Sequence, residues 1–155
     1  KRINPAPLRQ SGDAILIPMY NDEGQIWNVQ RILPDGKKLF LKEARIDGLF
    51  TIIGRFEGSR QAVIGEGYAT MDAVHQSTAL PCIVAFNTSN LPKVARVWAA
   101  HRPDIDFIIF ADDDEATAQK ILAERGVYKN PGIEAAEAIA TEIGAKVAYP
   151  AGRAA

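Results

Sequence analysis

The sequence predicts an α/β fold in two parts: a small antiparallel β meander, then a mainly parallel sheet flanked by helices. Three observations carry this. From residue 61 onward, short apolar runs alternate with stretches of helical period, the grammar of strands joined by crossover helices. Before residue 61, apolar runs follow one another across turn signals such as Asn21-Asp22-Glu23-Gly24 and Pro34-Asp35-Gly36-Lys37, with no helical stretch between them. The chain has 155 residues, 47% hydrophobic and 24% charged, which suits one globular domain with a small appendage.

Taken in order, residues 1–12 contain Pro5, Pro7 and Gly12 and read as a tether. Residues 13–58 read as an antiparallel β-hairpin subdomain. Its strands are Ala14 to Tyr20, Ile26 to Leu33, Lys38 to Leu41 and Phe50 to Gly54. In the second strand Trp27, Val29 and Leu33 mark the more apolar face at period two, so that face is expected inward. The boundary is expected at 55–60, and residues 59–155 form the α/β domain. There a strand at 61–65 precedes a helix near 67–78, and a strand at 82–86 precedes a helix near 90–101. Ser89 or Asn90 can cap the second helix, and Pro92 suits its first turn. A strand at 105–111 precedes a helix near 115–125 that ends at Gly126. Asn130 caps a helix from Pro131 to Gly144, with Ile133, Ala136, Ala140 and Ile143 inward. A last strand covers Lys146 to Tyr149.

Two strands of the second part stop at carboxylates. Residues 61–66 end in Glu66, flanked by Gly65 and Gly67. Residues 107–114 read Phe-Ile-Ile-Phe-Ala-Asp-Asp-Asp. Like charges at a strand tip repel and resist burial, a cost that a divalent cation removes. Ligands of parallel sheets sit beyond the C-terminal ends of the strands, so both acidic elements are expected on one rim. If strand geometry persists to residue 114, Asp112 and Asp114 share a face and Asp113 points away. The other reading of 112–115 is an acidic helix N-terminus favoured by the dipole.

Net charge is −1, which gives no general signal for nucleic acid, but the halves differ. Residues 1–60 hold ten Lys or Arg against seven Asp or Glu; residues 61–155 hold eight against twelve. Lys37, Lys38, Lys42, Arg45, Arg55 and Arg60 are candidate nucleic-acid contacts, interleaved with Trp27, Phe40, Phe50 and Phe56. A solvated sheet face over an ordinary core is the competing reading. Asn87, Ser89 and Asn90 line the same rim as the acids, as substrate contacts or caps. Cys82 is alone, which excludes an internal disulfide and a Cys-rich zinc site, and reads as a buried structural thiol. His75 reads as a structural histidine. No apolar stretch approaches the ~20 residues of a membrane span and no signal peptide is visible, so a cytoplasmic setting is expected.

Glu66-Gly67-Tyr68-Ala69-Thr70 resembles the EGYAT signature of primases from conjugative plasmids and satellite phages. The lone Glu after one strand and the Asp-x-Asp after a later one resemble the Toprim (topoisomerase–primase) fold. Asn130-Pro131-Gly132-Ile133-Glu134-Ala135-Ala136 is similar to the helix start that follows Asp-x-Asp there. The resemblance spans roughly residues 61–150 and departs at Met71, where the family's motif continues with Ala. It implies a Toprim-like domain that binds Mg2+ (or Mn2+) through Glu66, Asp112 and Asp114. It implies Glu66 as general acid/base or metal contact, Asp113 as a supporting acid, and primer synthesis from ribonucleotides on single-stranded DNA in plasmid or phage replication or transfer. A helicase or other domains of a longer parent chain are the implied partners, and the fragment alone is expected to be slow or inactive. A Toprim nuclease and a non-catalytic module that docks DNA or a helicase remain as alternatives. A haloacid-dehalogenase-type phosphotransferase is less favoured, because that family needs Thr or Val where Ala116 stands. A metal-dependent glycosyltransferase would leave Glu66 without a role, and the P-loop of an ATPase is absent.

Overall fold

The computed structural model describes residues 8–113 and 115–150. Strands β1 (Arg9–Ser11), β2 (Ala14–Tyr20), β3 (Ile26–Ile32) and β4 (Lys38–Phe40) form an antiparallel sheet in that order. A second sheet contains β5 (Thr51–Ile53), β6 (Gln61–Gly65), β7 (Cys82–Val84), β8 (Asp106–Phe110) and β9 (Lys146–Ala148), in the order β5-β7-β6-β8-β9. All its pairs are parallel except β5 with β7. Helices α1 (Tyr68–Thr78), α2 (Leu91–His101), α3 (Glu115–Arg125) and α4 (Pro131–Ile143) complete the chain. The expected α/β class, with a small antiparallel sheet ahead of a mainly parallel one, is what the structure has. No helix among the described residues is long and apolar enough to cross a membrane.

The period-two pattern of the parallel strands fills both faces of the second sheet. Ala62, Ile64, Ile83, Phe107 and Ile109 point to one side and pack with Leu91, Val94 and Trp98 of α2 and Ala136, Ile139 and Ala140 of α4. Val63, Cys82 and Val84 point to the other, where Met71 of α1 and Ile17 and Met19 of the antiparallel sheet meet them. Strands buried on both faces read as unbroken apolar runs, which is why they were visible in sequence. Gly65 belongs to this second face: a β-carbon there would stand 2.6 Å from the Met71 sulfur. The thioether therefore occupies room that glycine leaves.

Three expectations are corrected. Residues 9–11, assigned to the tether, form an edge strand paired with Ala14–Leu16; residues 1–7 lie outside the described residues. The strand at 51–53, expected to close the meander, pairs instead with β7 across Thr51–Val84 and Ile53–Cys82. The chain thus leaves the first sheet after Phe40 rather than at 55–60, and the two sheets stay linked by a bridge between Tyr20 and Phe50. The third correction concerns β3. Trp27 is 52% exposed, whereas Asn28 and Gln30 are buried on the inner face. For Asn28 the reason is hydrogen bonding. Asn28 Nδ2 donates to the carbonyls of Arg45 (2.8 Å) and Ala44 (3.4 Å), and its Oδ1 accepts from the Leu41 and Val29 amides. A buried loop has backbone groups to satisfy, and a polar side chain at that place does so.

Candidate functional site

Helix α1 leaves β6 toward the face it shares with the antiparallel sheet, whereas α4, which with α3 connects β8 to β9, packs on the opposite face. Between β6 and β8, paired in register from Gln61–Asp106 to Ile64–Ile109, the connections therefore diverge. Such a divergence opens a crevice at the C-terminal ends of the strands, where ligands of open α/β sheets bind. Glu66 and Asp112 stand at that place, one on each tip, on adjacent strands about 4.8 Å apart. The structure thus brings two of the expected acids to one rim. Asp114 lies outside the described residues. Among the described residues, no three His, Cys, Asp or Glu side chains cluster as a metal cage.

Each acid is held by its surroundings. Glu66 is half-buried, and the Thr88 hydroxyl donates to its Oε2 at 2.8 Å. Its backbone carbonyl accepts from the Phe86 amide at 2.8 Å, so the tips of β6 and β7 are tied one step past the sheet. Asp112 is half-buried behind the start of α4, where a β-carbon on Gly132 would collide with the Asp112 carbonyl oxygen. Asp113 is exposed, and Asn130 Nδ2 donates to its Oδ1 at 2.8 Å. The same Asn130 caps α4, its Oδ1 accepting from the Ile133 amide. The ladder of β8 ends at Phe110, with one further bond from the Ala111 amide to the Ala148 carbonyl. Strand geometry thus stops before the acids, so the expected alternation of faces does not extend to Asp112 and Asp113, which are seated by Gly132 and Asn130 at the start of α4. Glu115 opens α3 and accepts from Gln119 and from the Tyr128 hydroxyl, which suits an acid in a first helical turn.

The basic residues divide. Lys38 Nζ stands 3.9 Å from where a β-carbon of Gly67 would lie, so this lysine of β4 reaches the loop that carries Glu66. Gly67 is the N-cap of α1, without a side-chain cap bond. Lys37 and Lys42 are exposed on turns, and Arg45 is engaged by Nε to the Asp47 carbonyl at 2.7 Å. Arg55 and Arg60 flank β5 and β6 at the end of the sheet away from Glu66: Ile53 pairs with Cys82, the first residue of β7, and the Arg60 carbonyl accepts from Asp106, the first of β8.

Of the polar residues after β7, Asn90 is the N-cap residue of α2, without a side-chain cap bond, and in the turn before it Asn87 Oδ1 accepts from the Asn90 amide and from the Ser89 hydroxyl. Asn90 is fully buried and binds Gly48, Leu49 and Ala85. Thr88 went unnoticed in sequence; its only signal there was a hydroxyl in the loop after a strand on the same rim. Burial, with Asp72 adding to it, pushes the Cys82 thiol up to about 12, so it is a poor nucleophile. Burial also raises the Tyr68 phenol, with Asp72 adding to it, which keeps it protonated at neutral pH. His75 makes a 2.7 Å bond between Nδ1 and the Leu80 carbonyl and packs on Gly54, a structural histidine.

No protein-family model matches the chain. It is 35% identical over 144 residues to two Escherichia coli proteins, each named DNA primase TraC. The match takes in 91% of this chain but 13% and 10% of those relatives, so the chain spans about an eighth to a tenth of their length. The fold is similar to the primase fragment of the bacteriophage T7 primase-helicase protein, with TM-score 0.57 and 17% identity, over 88% of this chain and 52% of that one. It is also similar to a chain from a complex in which T7 lagging-strand DNA polymerase interacts with primase domains of two gp4 subunits bound to an RNA/DNA hybrid and dTTP. There the TM-score is 0.58 and the identity 17%, over 95% of this chain and 72% of that one.

Proposed function

We propose that this chain, a relative of part of a DNA primase with the fold of a primase fragment, is the Toprim-type segment of a metal-dependent primase. It would act in primer synthesis on single-stranded DNA during plasmid or phage replication or transfer. The observation that carries the reading is the placement of Glu66 and Asp112 just past the ends of the adjacent parallel strands β6 and β8, at the point where the helices diverge.

The donors suit magnesium. They are hard carboxylate oxygens, few in number and at the ends of adjacent strands, and such sites leave phosphate and water to complete the shell. Asp112 and Glu66, with Asp114, would hold the cation. When bound, it supplies charge to offset what develops on the phosphate oxygens. The chain's own residues do the rest. Glu66 takes the proton of the attacking hydroxyl, or serves as a further metal contact. Lys38 meets a phosphate beside Gly67, where the absence of a side chain lets the anion approach the backbone. Single-stranded DNA would approach from the side of Lys37, Lys38 and Lys42. A helicase or other domains of a longer parent chain would bring the template and the remaining contacts.

The test is labelled ribonucleotide incorporation on a single-stranded template with magnesium or manganese. It compares this chain, a longer form that includes neighbouring segments, and Glu66→Gln in that form. Synthesis by the longer form that Glu66→Gln abolishes is expected. Synthesis unaffected by Glu66→Gln would refute the assignment of this rim, and cleavage of DNA in place of primer synthesis would make it a nuclease.

A further inference from the structure

The loop after β7 is built around an unusual backbone. Phe86 has φ 73°, in the left-handed region that a bulky L-residue avoids. No glycine stands there to relieve it. Instead the surroundings fix the conformation. The Phe86 ring is buried and meets Phe40 edge-on, with centroids 6.3 Å apart and planes at 84°. Its amide donates to the Glu66 carbonyl, and the Ala85 amide before it donates to the Gly65 carbonyl, each at 2.8 Å. Four residues on, Asn90 is pinned to the carbonyls of Ala85 and Leu49. Asn87 is held through its Oδ1 by the Asn90 amide. Thr88 therefore sits in a short turn anchored on both sides, and its hydroxyl lies 2.8 Å from Glu66 Oε2 across 22 residues of sequence.

We infer that Thr88 is a positioning residue for Glu66, fixing the orientation of its carboxylate by a charge-assisted hydrogen bond that the left-handed turn at Phe86 delivers. The inference rests on the reading of Glu66 given above and deepens it. Strain kept in a loop that could have used glycine calls for a return. Here the return is a donor held without freedom against the group that reacts. A carboxylate that takes a proton must be held in a fixed orientation, and a rotamer locked through Oε2 supplies it, while the other oxygen, Oε1, is buried. Thr88 does not touch the reacting atoms; it acts through Glu66.

The first measurement needs neither metal nor nucleotide. In this chain, NMR should detect a Thr88 hydroxyl proton protected from exchange, and the protection should vanish in Glu66→Ala. A freely exchanging hydroxyl in the unmodified chain overturns the bond. The second uses the longest form of the protein that makes primers. Thr88→Val, isosteric but without a donor, should lower kcat by ~10- to ~100-fold, the scale of a hydrogen bond to a charged group, with KM for nucleotide within about two-fold. Thr88→Ser should recover kcat to within about three-fold of the unmodified protein, and the melting temperatures of both variants should stay close to it. Equal impairment by Val and Ser would mean that Thr88 only fills space, and the inference falls. Full activity of Thr88→Val with Glu66→Gln inactive would also overturn it while leaving the rim assignment intact. Full activity of both would bring down the reading of the rim, and Thr88 with it.

Discussion

Asn90 offers the sharpest test of how the rim is held. The side chain is fully buried, and its three hydrogen bonds are short: Gly48 amide to Oδ1 at 2.6 Å, and Nδ2 to the carbonyls of Leu49 at 2.8 Å and Ala85 at 2.7 Å. Two of the partners lie more than 40 residues away in sequence. Asn90→Ala deletes all three bonds and leaves a buried amide and two carbonyls to find water. At about 1 kcal/mol net per bond, the loss is about 3 kcal/mol. For a chain of this size that lowers the melting temperature by ~6–12 °C. Asn90→Asp has nearly the same shape and separates shape from chemistry. Its Oδ1 still accepts from Gly48, but the second oxygen faces two carbonyls that need a donor. At neutral pH Asn90→Asp should therefore be less stable than Asn90→Ala. Acid should narrow the gap. A buried carboxyl facing carbonyls has its folded pKa raised, so the neutral form, which can donate to one of them, is favoured in the fold, and the penalty grows as pH rises above the unfolded Asp value near ~3.9. Urea melts at pH 4 and pH 7 measure both effects. A loss under about 1 kcal/mol for Asn90→Ala, or an Asp variant no worse than Ala at pH 7, would refute the account of Asn90 as a buried staple.

Gly132→Ala should destabilise the fold by about 1–3 kcal/mol, because the added methyl meets the backbone carbonyl of Asp112 rather than a flexible side chain. It should also shift the amides of Asp112 and Asp113, and a stability gain of the size expected for Ala over Gly in a helix would show that α4 is not seated there. Cys82 should resist iodoacetamide at pH 8 in the native chain and react once unfolded. Because its folded pKa is raised from 9.0 to about 12, the unfolded state ionises first and stability should fall as pH rises above 9.0; a native thiol that labels as fast as the unfolded one contradicts the burial.

The parts of the fold that were legible in sequence are those in which local pattern and tertiary role agree. The parallel strands were plain because both faces of each are covered, and the helices because their caps and apolar stripes coincide, as at Asn130-Pro131 and Gly144. Apart from the short edge strand at 9–11, whose partner is local, the failures share one cause: the deciding partner lies far away in the chain. β5 joins the second sheet because β7, thirty residues later, offers it an edge. Trp27 looks like a core residue, yet Asn28 points inward because the loop at 41–45 needs its donors and acceptor. Glu66 and Asp112 could be placed on one rim from the topology of alternating strands and helices. The contact of Lys38 with that rim and the reach of Thr88 to Glu66 could not, since the first depends on how two sheets pack and the second on one residue adopting a conformation that its type disfavours.

The sheet order also sets the sequence in which the chain can complete itself during synthesis. The antiparallel sheet joins neighbours only, so β1 to β4 can pair as soon as residue 40 is free. β5 has no partner until β7 emerges, and β6, the central strand, keeps one edge open until β8 does. Glu66 therefore exists for more than forty residues of elongation as an acid on an incomplete sheet. Only when Phe107 and Ile109 dock beside Ala62 and Ile64 does Asp112 come to the neighbouring strand tip. Long-range parallel pairing closes late and slowly, because the loop entropy is lost before the contacts form. The two halves of the rim are thus brought together by the pairing of β8 with β6, and a chain halted before residue 110 would carry the antiparallel sheet, α1 and Glu66 but no crevice.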